Sequence, residues 1–85
     1  MKTFSYTITD EIGIHARPAG ALAKKAKEYK SVITLKVNGK SADAARLMAV
    51  MGLGARKGME VMVTVEGEDE EQAAKQIELF MKENL

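Results

Sequence analysis

Val32-Ile33-Thr34-Leu35-Lys36-Val37-Asn38-Gly39-Lys40-Ser41-Ala42-Asp43 is the stretch whose reading decides the fold. Ile33, Leu35 and Val37 alternate with Thr34 and Lys36, the two-residue period of a strand with one buried face. Asn38-Gly39 follows at once, and both residues tolerate the positive φ that a two-residue hairpin turn demands. Lys40 to Asp43 then reads as a short returning strand, so the sheet is expected to be antiparallel.

Working upstream, Lys2 to Thr9 sets Phe4, Tyr6 and Ile8 against Thr3, Ser5, Thr7 and Thr9, a half-buried strand, and Asp10 to Gly13 reads as a turn or loop. Ala19, Leu22, Ala23, Ala26 and Tyr29 then recur at helical spacing, predicting a helix over Ala19 to Tyr29. Downstream, Ala44 to Met51 reads as a short helix stopped by Gly52 and Gly54. Glu60 to Glu66 reads as a strand with Val61, Val63 and Val65 facing inward. A last helix is predicted from about Asp69 to Lys82, burying Ala73, Ala74, Ile77, Phe80 and Met81. The carboxylates between Glu66 and Glu71 suit the start of that helix, whose dipole favours negative charge. The order βαββαβα predicts an α+β fold, with an antiparallel sheet covered by helices on one face and solvated on the other.

The chain has 85 residues, enough for a single domain, 1–85, around one core. It has no cysteine, which removes disulfides and thiolate metal sites and fits a reducing cytoplasm. The polar, alternating start carries no signal peptide pattern, and no apolar run is long enough to enter a membrane. A net charge of +1 and few aromatic residues argue against nucleic acid as a partner. Electrostatic specialisation must therefore be local. Arg17, Lys24, Lys25, Lys27 and Lys30 face a single acid, Glu28, in the segment from Arg17 to Lys30.

The chemistry is concentrated in Gly13-Ile14-His15-Ala16-Arg17-Pro18-Ala19, which holds the chain's only histidine. Pro18 suits a first helical turn, so His15 is expected at a helix N-terminus, where free N–H groups and the positive end of the dipole favour an anion. The backbone of Ala16, Arg17 and Pro18 would form the cradle, and the Arg17 guanidinium suits phosphate oxygens. A neutral imidazole nitrogen is nucleophilic toward phosphorus. Arg17, Gly20, Lys24 and Lys27 share one side of the predicted helix, a pattern that a solvated polar face explains as well as a partner surface does. Gly20 weakens a helix interior, which a closely approaching partner would account for, as would flexibility or chance. In the second stretch of interest, Arg46 to Gly54, Leu47, Met48 and Met51 form one patch while Val50 and Leu53 fall on another side. That patch is either core filler or an adaptable exposed binding surface.

GIHARPAG (13–20) and NGKSADAARLMAVMGLGARKG (38–58) together resemble the signature motifs of HPr, the histidine phosphocarrier family of the bacterial phosphoenolpyruvate-dependent sugar phosphotransferase system (PTS). The resemblance extends over essentially the whole chain. It implies an open-faced β-sandwich, a four-stranded antiparallel sheet with three helices on one face. It implies a carrier rather than an enzyme, phosphorylated on Nδ1 of His15 with Arg17 assisting, and needing no metal or organic cofactor. The implied partners are enzyme I, which donates the phosphoryl group, and the sugar-specific IIA components, which accept it. Gly20, Lys24, Lys27, Leu47, Met48 and Met51 match the surface the family presents to both partners. One departure stands out: Arg46 occupies the position where the family usually has a serine, so phosphorylation of that serine by a kinase has no counterpart here. The chain is otherwise expected to be a cytoplasmic monomer, with no long apolar surface beyond the docking patch.

Overall fold

The last strand in sequence lies inside the sheet. In the computed structural model, which describes residues 1–85, β1 (Lys2–Thr7), β2 (Val32–Val37), β3 (Lys40–Asp43) and β4 (Glu60–Glu66) are ordered β1-β4-β2-β3, and every neighbouring pair is antiparallel. Val61, Val63 and Val65 of β4 are fully buried, as a β-branched inner face flanked by two strands should be. The edge strand β3 is short and carries Lys40 and Asp43, features that discourage pairing with a further strand. Asn38 (φ 50°) and Gly39 (φ 81°) make the expected hairpin turn between β2 and β3.

Three helices, α1 (Ala16–Ala26), α2 (Leu47–Met51) and α3 (Glu70–Asn84), cover one face. A single cluster of 20 buried residues joins Ile33, Leu35 and Val37 of the sheet to Leu22 of α1, Val50 of α2 and Ile77 and Met81 of α3. The other face is open: Thr3, Ser5, Thr7 and Lys36 are exposed, and Thr34 and Thr64 are half-buried. The predicted fold class and element order are those observed.

The element boundaries differ in instructive ways. β1 ends at Thr7, although Ile8 stays buried and exchanges bonds with the loop before β4: its N–H donates to the Met59 carbonyl (3.0 Å), and its carbonyl accepts from Gly58 N–H (2.8 Å). α1 begins at Ala16 rather than Ala19 and ends at Ala26, leaving half-buried Tyr29 beyond the helix. α2 starts at Leu47 rather than Ala44 because Asp43 turns the chain. Its Oδ1 accepts from Ala45 N–H (2.9 Å) and its carbonyl from Arg46 N–H (3.0 Å), a local alternative to helix that aspartate offers. α3 starts at Glu70, with Asp69 as its N-cap, and runs on to Asn84; Ala74 and Phe80 are half-buried rather than buried.

α1 and α3 pack against each other and run in opposite senses. The start of α1 therefore lies by the end of α3, where the Leu85 carbonyl accepts from Thr9 N–H (2.6 Å), Asp10 N–H (2.7 Å) and the Thr9 hydroxyl (3.0 Å). The start of α3 lies by the end of α1, where Asp69 meets Lys30 and Ser31.

Candidate functional site

His15 is the N-cap of α1. Its backbone is extended (φ −114°, ψ −175°) and its carbonyl accepts the first helical bond from Ala19 N–H at 2.9 Å. The imidazole takes no part in capping, so the ring stays free of the helix it precedes. Pro18 sits at the third helical position, where no intrahelical acceptor is available and its missing N–H costs nothing. The N–H groups of Ala16 and Arg17 face the same vacancy, and no acidic residue lies in this first turn. The result is a helix start with positive potential and no acidic residue in its own first turn to offset it.

His15 is half-buried and Arg17 exposed. Both line an open depression together with Asp10, Pro18, Ala21 and Asn84. Asp10 and Asn84 are absent from the sequence-based site. Asn84 belongs to the far end of the chain and reaches the depression because the Leu85 carbonyl is bonded to Thr9 and Asp10. No local pattern announces such a contact.

The loop carrying His15 is held from two sides. Asp10 Oδ1 accepts from Ile12 N–H (2.9 Å) and the Asp10 carbonyl from Gly13 N–H (3.0 Å), closing the turn. Ile14 N–H donates to the Ala55 carbonyl at 3.0 Å. Gly13 (φ 83°) lies so close to that segment that a Cβ would stand 2.8 Å from Arg56 Cα. The glycine of the GIHARPAG motif is thus required by backbone–backbone contact.

Along α1, Gly20 is half-buried, Lys24 is exposed, and exposed Lys27 is the C-cap. A Cβ on Gly20 would meet nothing within 4 Å, so no packing within the chain requires glycine there. Of the basic residues in this segment, Lys25 pairs with Glu28 (3.6 Å) and Lys30 with Glu68 (3.4 Å). Arg17, Lys24 and Lys27 enter none of the ion pairs, and neither does Arg46. α2 packs beside α1. Leu47 is 39% exposed and Met48 76% exposed, while Met51 is half-buried against the core and Val50 and Leu53 are buried. Arg46, the exposed N-cap of α2, has no acceptor with which to cap it. Ala16, Arg17, Lys24, Lys27, Arg46, Leu47 and Met48 are all solvent-accessible, and the two helices that carry them are neighbours.

No helix is long and apolar enough to cross a membrane. No group of three or more His, Cys, Asp or Glu side chains is arranged to hold a metal ion.

Comparison with known proteins places these features in a family. The family profile described as "PTS HPr component phosphorylation site" matches residues 2–83. The phosphocarrier protein HPr of Lysinibacillus sphaericus is 40% identical over 83 residues, covering 98% of this chain and 94% of that protein. Among solved structures, a mycoplasma histidine-containing phosphocarrier protein superposes with a TM-score of 0.93 at 38% identity, covering 96% of this chain and 93% of its own. An HPr from Thermoanaerobacter tengcongensis reaches the same TM-score, 0.93, at 32% identity, covering 99% of this chain and 94% of its own. A dimeric structure of HPr from that organism also matches, with a TM-score of 0.77 at 32% identity and coverage of 98% and 95%. With its profile matched almost end to end, its fold superposed and its relatives named as carriers, the chain belongs to the HPr family of phosphocarriers of the phosphotransferase system.

Proposed function

We propose that His15 is the residue that carries the phosphoryl group, taking it from enzyme I and passing it to IIA components of sugar permeases. One observation supports this reading above the rest. The chain's only histidine caps a helix start that holds no carboxylate, with two free amides and the unpaired Arg17 beside it. The lone pair of a neutral ring nitrogen attacks phosphorus; a P–N bond forms at His15 as the P–N bond to the donor histidine breaks. The transferred unit is PO₃⁻ in both directions, one imidazole replaces another, and the exchange is readily reversible. The N–H groups of Ala16 and Arg17, the dipole of α1 and the Arg17 guanidinium receive the charge of the bound group. Pro18 fixes the backbone at the third helical position without demanding an acceptor.

Docking falls to the surface formed by Gly20, Lys24 and Lys27 of α1 with Leu47, Met48 and Met51 of α2. Apolar side chains supply contact area there, and unpaired cations favour acidic partners. Arg46 adds a permanent charge at the edge of this surface and no hydroxyl to modify. The chain acts as a one-domain monomer in the cytoplasm, with nucleic acid outside its range.

The test is incubation with phosphoenolpyruvate and enzyme I. The expected product is stoichiometric phosphate that is acid-labile and base-stable. His15→Ala should take up none while keeping its Tm, since the ring makes no hydrogen bond that holds α1. Stoichiometric uptake by that variant would place the acceptor elsewhere.

A further inference from the structure

We propose that the side-chain amide of Asn84 is a ligand of the phosphoryl group on His15, supplied by the end of α3. The proposal rests on the assignment of His15 as the acceptor. The depression around His15 has two walls: the start of α1, with Arg17, Pro18 and Ala21, and the junction of Asp10 with Asn84. The second wall is electrostatically wrong for a phosphate. It carries a carboxylate and the negative end of α3.

Local bonding turns part of this wall toward the ligand. Asp10 Oδ1 is turned onto Ile12 N–H. Asn84 Nδ2 donates one proton to the Phe80 carbonyl at 2.9 Å, one turn back along the helix. A carboxamide nitrogen has two protons, so the other is left for a partner in the exposed depression. The wall is also fixed in place. Leu85 is buried in the core, and its carbonyl takes three hydrogen bonds from Thr9 and Asp10. Asn84 is therefore held beside the histidine loop and can meet the phosphoryl oxygens opposite Arg17 with little ordering cost.

N-phosphoryl imidazole tests this on the whole chain without a protein donor. It passes PO₃⁻ to His15 and releases imidazole, and ³¹P NMR reads the equilibrium constant. In ¹⁵N-labelled native protein the Asn84 side-chain amide signals should move on phosphorylation. Asn84→Ala should lower the equilibrium constant by about threefold to tenfold, the range of an ordinary hydrogen bond, because solvent exposure screens the charge of the group it meets. Asn84→Asp, which adds a like charge, should lower it further. Unmoved Asn84 signals, or an Asn84→Ala constant within about twofold of native whatever its Tm, would overturn the inference alone. Failure of the native chain to take phosphate on His15 would overturn the proposed function together with it.

Discussion

Two helix starts at opposite ends of this molecule share the same backbone physics and use it differently. The start of α3 is filled by the chain's own carboxylates. Asp69, its N-cap, turns Oδ2 onto Lys30 N–H (2.9 Å) and Oδ1 onto both the N–H (2.9 Å) and hydroxyl (2.5 Å) of Ser31. Glu70 accepts from Gly67 N–H (3.2 Å) and pairs with the Met1 amino group (2.7 Å). Neither start has a side-chain cap, but the first turn of α1 also has no acid, only His15 before it and an unpaired arginine within it. One start carries the chain's own anions, which tie α3 to the segment after α1; the other has no acid in its first turn, as the proposed phosphoryl site requires. A helix N-terminus is not a site by itself, and what differs between these two is whether the sequence places its own negative charge there.

That contrast can be broken most severely at Ala16. Ala16→Glu places a carboxylate in the first turn of α1, as Glu70 does in α3. Phosphoryl uptake should fall by about tenfold or more, while stability stays level or rises by up to ~1 kcal/mol through the dipole. Uptake at the native rate would show that the open start is immaterial. At the other end, Ser31→Ala removes the hydroxyl from Asp69 and should lower Tm by about 4–8 °C, leaving phosphoryl uptake intact. A calorimetric scan paired with the uptake assay separates the two ends.

Acid should act on the same end. The Ser31 hydroxyl, followed by Lys30 N–H, holds the Asp69 carboxyl below the usual carboxylate range, and the Met1 amine with Gly67 N–H does so for Glu70. Because both are lowered on folding, their stabilisation is complete above the ordinary carboxylate values of about 4 and is lost as pH falls through them to the lowered ones. Tm should therefore drop as pH falls below the ordinary carboxylate range of about 4, and Asp69→Asn should flatten that drop. A Tm curve with the same acid slope in the variant would remove Asp69 from the explanation. The smallest effect is expected at Gly20. Gly20→Ala should raise the stability of the isolated chain by up to ~1 kcal/mol, since its Cβ meets nothing, and should weaken binding to enzyme I only if a partner lies against that spot. Unchanged affinity by titration calorimetry would take Gly20 out of the docking surface.

What the sequence made legible was whatever depends on neighbours in the chain. Alternation marked β1, β2 and β4, Asn38-Gly39 marked the hairpin and with it β3, and His15 with Arg17 and Pro18 marked a helix start. Errors arose where a local rule met a competing bond. Apolar spacing placed the start of α1 at Ala19, but the first helical bond is accepted by His15, so the turn containing Pro18 is already helix. The run from Ala44 looked helical until the Asp43 side chain claimed Ala45. Asp69 read as a carboxylate for the dipole of α3, yet its partners lie 38 and 39 residues away, on Ser31 and Lys30. Asn84 was invisible as a site residue for the same reason, because Thr9 and Leu85 are joined across 76 residues.

The pinning of the Leu85 carbonyl to Thr9 and Asp10 has a practical corollary. Any polypeptide joined after residue 85, whether an affinity tag, a fluorophore or a fused reporter, would emerge beside His15 and, under the proposed function, would obstruct the approach of partners. Attachment at Met1, at the opposite pole, would leave that approach clear but would turn the amine into an amide and so remove its ion pair with Glu70.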